Sequence, residues 1–188
     1  MGLNYPDDAE LAARWQQGDA QAFAELVRRW QQPIARFLTH LLGRPELVSD
    51  LCQDVFLRAF VAGPRYRESG LFSAWLYRIA LNAARDLGRR RRFKTISIET
   101  EEPASAAPSP VDVNEQRELS VIVAAALAEL PEPQRLVLVL RHYEYMSFED
   151  IARLTATPAS TLKSRFAAAL NHLRVRLRHL DPAEEHQP

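Results

Sequence analysis

FSAWLYRIALNAARDLGRRRRFK, residues 72–94, decides how the rest of the chain is read. At helical period, Leu76, Ile79, Ala80, Ala83 and Leu87 form one apolar stripe. Arg78, Asn82, Arg85 and Arg89 recur at steps of four, three and four on the opposite face, and the helix runs on into Arg90, Arg91, Arg92 and Lys94. A stripe of this kind docks a helix on a domain and leaves a row of guanidinium and amide groups facing outward. Those groups suit phosphate oxygens and base edges. The same row also fits a merely solvated basic face.

Downstream lies TISIETEEPASAAPSPV, residues 95–111, with three prolines, small residues and acids. Such a composition cannot build a core, so a flexible, extended linker is expected there. The chain is thereby divided into residues 1–94, a linker at 95–111, a second unit at 112–180 and a polar tail at 181–188. In the second unit, residues 112–130 and 134–141 read as helices. Ser147 and Asp150 form a capping pair for a helix through Leu154, and Thr155-Ala156 makes a turn. Thr157 is expected to cap a last helix with Pro158 at its first position. That helix runs to about Leu180, with Leu162, Phe166, Leu170, Leu173 and Leu177 inward. Two helices joined by a short turn, the second basic, make a helix-turn-helix pattern, which a simple helical hairpin also imitates. Ser160, Thr161, Lys163, Ser164 and Arg165 occupy the first two turns of its second helix, the turns that enter the major groove in this motif.

Upstream, Asp8 is expected to cap a helix with Leu11, Ala12 and Trp15 inward, broken at Gly18-Asp19. Residues 20–42 keep a stripe of Phe23, Leu26, Val27, Trp30, Ile34, Phe37, Leu38 and Leu41, with Pro33 as a point of kinking. After a turn at Gly43-Arg44-Pro45, residues 46–60 are expected to turn Leu47 or Val48, Leu51, Val55, Phe56 and Ala59 inward and to expose a polar strip of Asp50, Gln53, Asp54 and Arg58. That strip serves solubility or a partner. The loop VAGPRYRESGL, residues 61–71, carries Arg65, Tyr66 and Arg67. It is either a plain connector or a clamp for an unpaired base. The fold class expected is all-α: two small helical domains and a linker.

The 188 residues carry no net charge, yet the charges are segregated. Residues 85–94 hold six cations and one acid, residues 153–180 six cations and no acid, and residues 99–118 six acids and one arginine. Local fields of this sort decide where a polyanion docks. No apolar run is long enough for a membrane span, and the N-terminus lacks a secretion-signal pattern, so the cytoplasm is expected. Cys52, the only cysteine, excludes an internal disulfide and a cysteine zinc cluster, and reads as a small core residue. His172 and His179 stand two turns apart, a solvated pair rather than ligands. No phosphate loop, metal spacing or nucleophile triad appears, so neither catalysis, a cofactor nor a small-molecule substrate is expected.

Three motifs in order and at the right spacing resemble the small extracytoplasmic-function (ECF) sigma factors of bacterial RNA polymerase. DLCQDVFL, residues 50–57, is similar to the family's D-L-x-Q-[ED]-V-F-L core-binding signature in region two. FSAWLYRIALN, residues 72–82, is similar to its promoter-reading stretch F-x-x-W-L-Y-R-I-A-x-N. LPEPQR at 130–135, SFEDIA at 147–152 and TLKSR at 161–165 are similar to region four. The resemblance covers roughly residues 19–93 and 130–177.

This resemblance implies a transcription initiation factor whose partners are core RNA polymerase, promoter DNA and an anti-sigma factor. Asp50, Gln53, Asp54 and Arg58 would grip the clamp helices of the largest polymerase subunit, and region four would meet the flap of the second largest. Arg65, Tyr66, Arg67, Trp75, Arg78, Asn82, Arg85 and Arg89 would melt and read the minus-ten element. Tyr66, Trp75 and Tyr77 would stack on bases or wall them, Trp75 and Tyr77 equally serving as core. Arg90, Arg91, Arg92 and Lys94 would hold phosphates. Thr157, Ser160, Thr161, Lys163, Ser164 and Arg165 would read the minus-thirty-five element. The chain departs from the family at Ser160, where a glycine is common, and at Ala168, where an arginine is usual, which leaves the upstream sequence it reads open. A stand-alone helix-turn-helix regulator is the alternative, though it leaves the first half without a role.

Overall fold

A computed structural model describes residues 7–66, 72–97 and 115–178, with side chains omitted at 65, 91–97 and 115–120. The described residues form helices joined by short turns, with no strand among them. Helix α1 (Asp8–Gln16) is capped by Asp7, whose Oδ1 accepts the Glu10 N–H at 2.7 Å. The expectation of an Asp8 cap is thus corrected. Asp8 instead accepts from Arg29 at 3.2 Å and from the Trp30 indole N–H at 2.9 Å, tying α1 to the next helix. Asp19 caps α2 (Ala20–Leu42) through the N–H groups of Gln21 and Ala22. Arg14 pairs with Asp19 at 2.8 Å, and that bond holds the carboxyl below its ordinary range. Pro33 lies inside an unbroken α2, and Gly43 at φ 63° ends it in the left-handed conformation that glycine adopts without strain.

A 3-10 turn (Pro45–Leu47) leads into α3 (Val48–Ala62), and a second (Gly63–Arg65) closes it. Helix α4 (Phe72–Ser97) is longer than expected. It absorbs the first three residues assigned to the linker, and residues 98–114 lie outside the described ones. The Cys52 thiol is half-buried, 3.7 Å from the Gln31 carbonyl, and burial pushes its pKa up.

The second half comprises α5 (Glu115–Glu129), α6 (Glu132–Leu138), α7 (Phe148–Thr155) and α8 (Ala159–Arg176). Helix α6 runs into a wide π turn (Val139–Tyr143). Ser147 caps α7 as expected: its Oγ accepts the Asp150 N–H at 3.0 Å. Ala156 at φ 52° ends that helix. The α8 cap differs from expectation. Pro158 occupies the cap position, and the Thr157 hydroxyl donates back to the Thr155 carbonyl at 3.3 Å. Within α8, Leu162 and Ala169 are buried while Leu170 is 46% exposed, so the inward stripe is shifted one residue from the predicted Leu170. Ala169 meets Leu127, Leu130 and Leu138 in a small cluster of its own.

The main apolar cluster is continuous across both halves. Ile34, Phe37, Leu38, Val55, Leu76 and Ala80 belong to it, and so do Val137, Leu140, Ile151 and Leu162. Helix α2 packs against α5, α6 and the π turn, and α4 packs against α7. No described helix is long and apolar enough to cross a membrane.

Candidate nucleic-acid interface

The predicted division of α4 is present. Leu76, Ala80 and Ala83 are buried and Ile79 and Leu87 partly so, whereas Arg78, Asn82, Arg85 and Arg89 are exposed. Tyr77, Leu81 and Ala84 form a further buried face that the stripe did not reveal.

Three of the four outward side chains have protein partners. Arg78 donates to the backbone carbonyl of Arg153 at 3.1 Å, and Arg85 lies 3.5 Å from the Glu132 carboxylate. Arg89 reaches Asp86 at 2.8 Å within α4. Asp86 also meets Arg58 of α3 at 2.8 Å, and this bond above all holds the Asp86 carboxyl below its ordinary pKa. Arg58 in turn pairs with Asp54 at 2.9 Å. A residue assigned to the polymerase-facing strip therefore also braces α3 against α4. Arg90 is exposed; the side chains of Arg91, Arg92 and Lys94 lie outside the described residues, as do Arg67 and the Arg65 side chain.

The aromatic residues split by depth. Tyr66 is buried, its ring 4.9 Å from Trp75 and 5.8 Å edge-on to Phe72. Tyr77 is buried against Phe37 and Trp30 in edge-to-face contacts of 5.2 and 6.0 Å. Trp75 is partly exposed and lines a cleft of about 830 Å³ with Trp30, Arg36, Arg78, Tyr145 and Arg153. Gln16 holds the base of the loop in place, its amide donating to the carbonyls of Gly63 and Tyr66 at 3.0 and 2.7 Å.

On α3, Asp50 and Gln53 are exposed and Asp54 and Arg58 partly so. Beside them lie Leu57, 63% exposed, and Val61, 71% exposed, with Phe60 also open to water. These apolar residues escaped the reading of the strip. The signal was present, since Leu57 stands four after Gln53 and three after Asp54, on the face assigned to polar groups. Burying Leu57 and Val61 against a partner supplies apolar energy that the charged strip alone cannot.

On α8, Ser160, Lys163 and Ser164 are exposed and Thr161 and Arg165 are partly buried, as is Thr157 in the turn before it. Lys163 stands 5.9 Å from the centre of the Phe148 ring, so its ammonium is steered by α7. Phe148 and Phe166 meet edge-on at 5.7 Å and fix the crossing of α7 and α8. The two helices and their left-handed Ala156 turn form a compact helix-turn-helix with a basic leading edge. No group of three or more histidine, cysteine or acidic side chains capable of holding a metal occurs among the described residues.

Known proteins agree with this arrangement. Residues 26–94 match the sigma-70 region 2 family model, and residues 120–173 match the sigma-70 region 4 model. The RNA polymerase sigma-H factor of Pseudomonas aeruginosa is 31% identical over 177 residues, covering 89% of this chain and 92% of its own. The ECF RNA polymerase sigma-E factor of Escherichia coli K12 is 33% identical over 172 residues, covering 86% and 90%. Among solved structures, CnrH in complex with the cytosolic domain of CnrY superposes with a TM-score of 0.71 at 27% identity, over 92% of this chain and 97% of that one. The sigma factor RpoE of Bartonella quintana, bound to the anti-sigma factor NepR, has the same fold, with a TM-score of 0.72 at 22% identity over 85% and 98%. With both sigma regions present in order and relatives matched over most of their length, the chain belongs to the ECF sigma factors of the sigma-70 family, which bind core RNA polymerase and direct it to promoters.

Proposed function

We propose a division of labour along the chain. The exposed face of α3, with Asp50, Gln53, Asp54 and Arg58 around Leu57 and Val61, docks on the clamp helices of the largest polymerase subunit. Arg78, Asn82, Arg85 and Arg89 of α4, with Arg65, Tyr66, Arg67 and Trp75 before them, open and read the minus-ten element. Arg90, Arg91, Arg92 and Lys94 add backbone affinity without sequence information. Thr157, Ser160, Thr161, Lys163, Ser164 and Arg165 read the minus-thirty-five element, and the second domain meets the polymerase flap. The observation that carries this reading is the α4 face, where four cationic or amide side chains stand in one exposed row above a buried stripe.

The factor acts in the cytoplasm, where polymerase and promoters are, and contributes recognition rather than catalysis. An anti-sigma factor is its expected inhibitor. CnrH and RpoE, which share its fold, are seen with CnrY and NepR. The test is transcription in vitro with core polymerase and a pool of promoter fragments, followed by sequencing of the transcripts. Polymerase-dependent starts downstream of a shared two-part motif are expected. DNA bound by the chain alone, with no initiation, would favour the stand-alone regulator.

A further inference from the structure

At steps of four, three and four, Tyr77, Leu81, Ala84 and Gly88 fall on one face of α4. The first three are buried, whereas Gly88 is exposed, and a Cβ built on it would meet no described neighbour within 4 Å. The body of the protein therefore stops supporting this face between Ala84 and Gly88. Packing does not call for a glycine here: alanine would fit the open space, and glycine is the poorest helix former apart from proline. Helix α4 nevertheless runs through Gly88 to Ser97, and Arg89, Arg90, Arg91, Arg92 and Lys94 all follow it in the sequence. By propensity, the weakest point of the helix separates its docked part from its basic run.

A single carboxylate spans that point. Asp86 Oδ1 accepts from Arg89 at 2.8 Å, across Gly88, and Asp86 Oδ2 accepts from Arg58 of α3 at 2.8 Å. Arg58 is held in turn by Asp54 at 2.9 Å. The Arg89 side chain is 69% exposed and that of Asp86 31%, so the bond across the glycine lies open to a competing anion. An exposed pair of this kind is weak, and a phosphate offers Arg89 the same charge-assisted contact. When Arg89 leaves, Asp86 keeps Arg58, so the exchange strands no charge.

We propose that Asp86 and Gly88 are positioning residues for promoter opening: Gly88 is a joint in α4, and the Asp86–Arg89 bond is the clasp that keeps it straight. A backbone phosphate that takes Arg89 from Asp86 releases the clasp. The run from Arg89 to Lys94 then pivots at Gly88 and follows the backbone as the strands part. This rests on the reading of Arg89 to Lys94 as DNA contacts. A rigid helix fixes the spacing of its cations, whereas a duplex and a separated strand present their phosphates at different spacings. A joint lets one basic run serve both.

The experiment follows strand opening by the holoenzyme, read from a fluorescent base analogue in the minus-ten region of a promoter the protein transcribes. Gly88→Ala, Gly88→Ser and Gly88→Asn are compared with the parent. Gly88→Ala should raise the melting temperature of the free chain yet slow opening about fivefold, the helix-propensity difference read as a rate. Gly88→Ser and Gly88→Asn should fall between, since their propensities do. If instead the loss grows with bulk, least for alanine and greatest for asparagine, Gly88 only makes room for DNA and the joint is overturned; equal rates throughout overturn it too. Asp86→Asn should speed opening in the parent and leave Gly88→Ala unmoved, because a stiff helix gains nothing from release. Equal gains in both backgrounds would reduce Asp86 to a local charge and overturn the clasp. Failure of the underlying reading has its own mark: Arg89→Ala and Arg90→Ala would leave the salt dependence of holoenzyme binding unchanged, and the joint would fall with it. With the salt slope reduced and the Gly88 series flat, the DNA contacts stand and only the joint is lost.

Discussion

Arg58 of α3 and Asp86 of α4 face each other at 2.8 Å, and each holds a second partner on its own helix, Asp54 and Arg89 respectively. The four charges form a chain from the polar strip of α3 to the exposed row of α4. The Arg58 guanidinium is held above its usual range and the Asp86 carboxyl below its own, as expected of groups that stabilise each other's charge. For Asp86 the depressed pKa means that its contribution is present above about 3.8 and is lost as pH falls through the folded value. Asp86→Asn should therefore lower the melting temperature at pH 7 and flatten its decline in acid. A melt of equal height and equal acid slope would show the brace to be idle.

Arg78→Ala or Asn82→Ala should reduce promoter opening roughly 10-fold or more, the loss of one good base or phosphate contact. Association with core polymerase should stay intact, as checked by gel filtration of the holoenzyme. Arg90→Ala acts differently. It should weaken binding evenly across promoters and reduce the salt slope by about one ion. Lys163→Ala should relax selectivity for the upstream element while leaving the downstream one unchanged.

Leu57→Asp and Asp54→Arg should each impair capture of core polymerase, because both strike the same exposed face of α3. Leu57 is already 63% exposed, so its replacement should leave the melting temperature nearly unchanged. The loss must appear in competition with another sigma factor for core enzyme. Normal competition by both variants would remove this face from the interface.

Gly63→Ala tests the packing beneath the loop. A Cβ built on Gly63 would stand 2.0 Å from the Trp15 indole, which is itself wedged among Phe23, Phe60 and Trp75. Overpacking of this kind costs about 1–3 kcal/mol. Denaturant titration should show that loss, with a further effect on promoter opening because Tyr66 and Trp75 rest on the same cluster.

Glu25 supplies an acid-side signature. Hydrogen bonds from Arg28 and Arg29 lower its carboxyl from an ordinary 4.5 to about 2. A depressed carboxylate contributes above its unfolded value and ceases to do so as pH falls through the folded one. Glu25→Gln should therefore reduce stability at neutral pH and remove part of the pH dependence between about 4.5 and 2, readable by circular dichroism across an acid titration.

Much of this architecture is written in local patterns. The α4 stripe of Leu76, Ile79, Ala80 and Ala83, the Ser147 cap and the Gly18-Asp19 break all follow from nearest-neighbour chemistry and appear where expected. The misses have distant causes. Asp7 and Asp8 are equivalent caps by type, and the choice is made by Arg29 and Trp30, more than twenty residues away. Tyr77, Leu81 and Ala84 fall outside a one-sided stripe because α4 is covered on more than one side: Tyr77 meets Trp30 and Phe37 of α2, and α7, beyond the linker, packs on the same helix. Leu170 looks inward by period, yet the small Ala169 is what fits against Leu127 and Leu130. The exposed row of α4 could be read from residue types alone, but its pairing with Arg153 and Glu132 could not. Those partners are 75 and 47 residues downstream.

The apolar cluster shared by Phe37 and Leu76 on one side and Ile151 and Leu162 on the other has a calorimetric consequence. An interior that belongs jointly to two units cannot lose one and keep the other intact, so the free chain should absorb heat in a single transition. Its heat-capacity change should reflect the joint burial of both units.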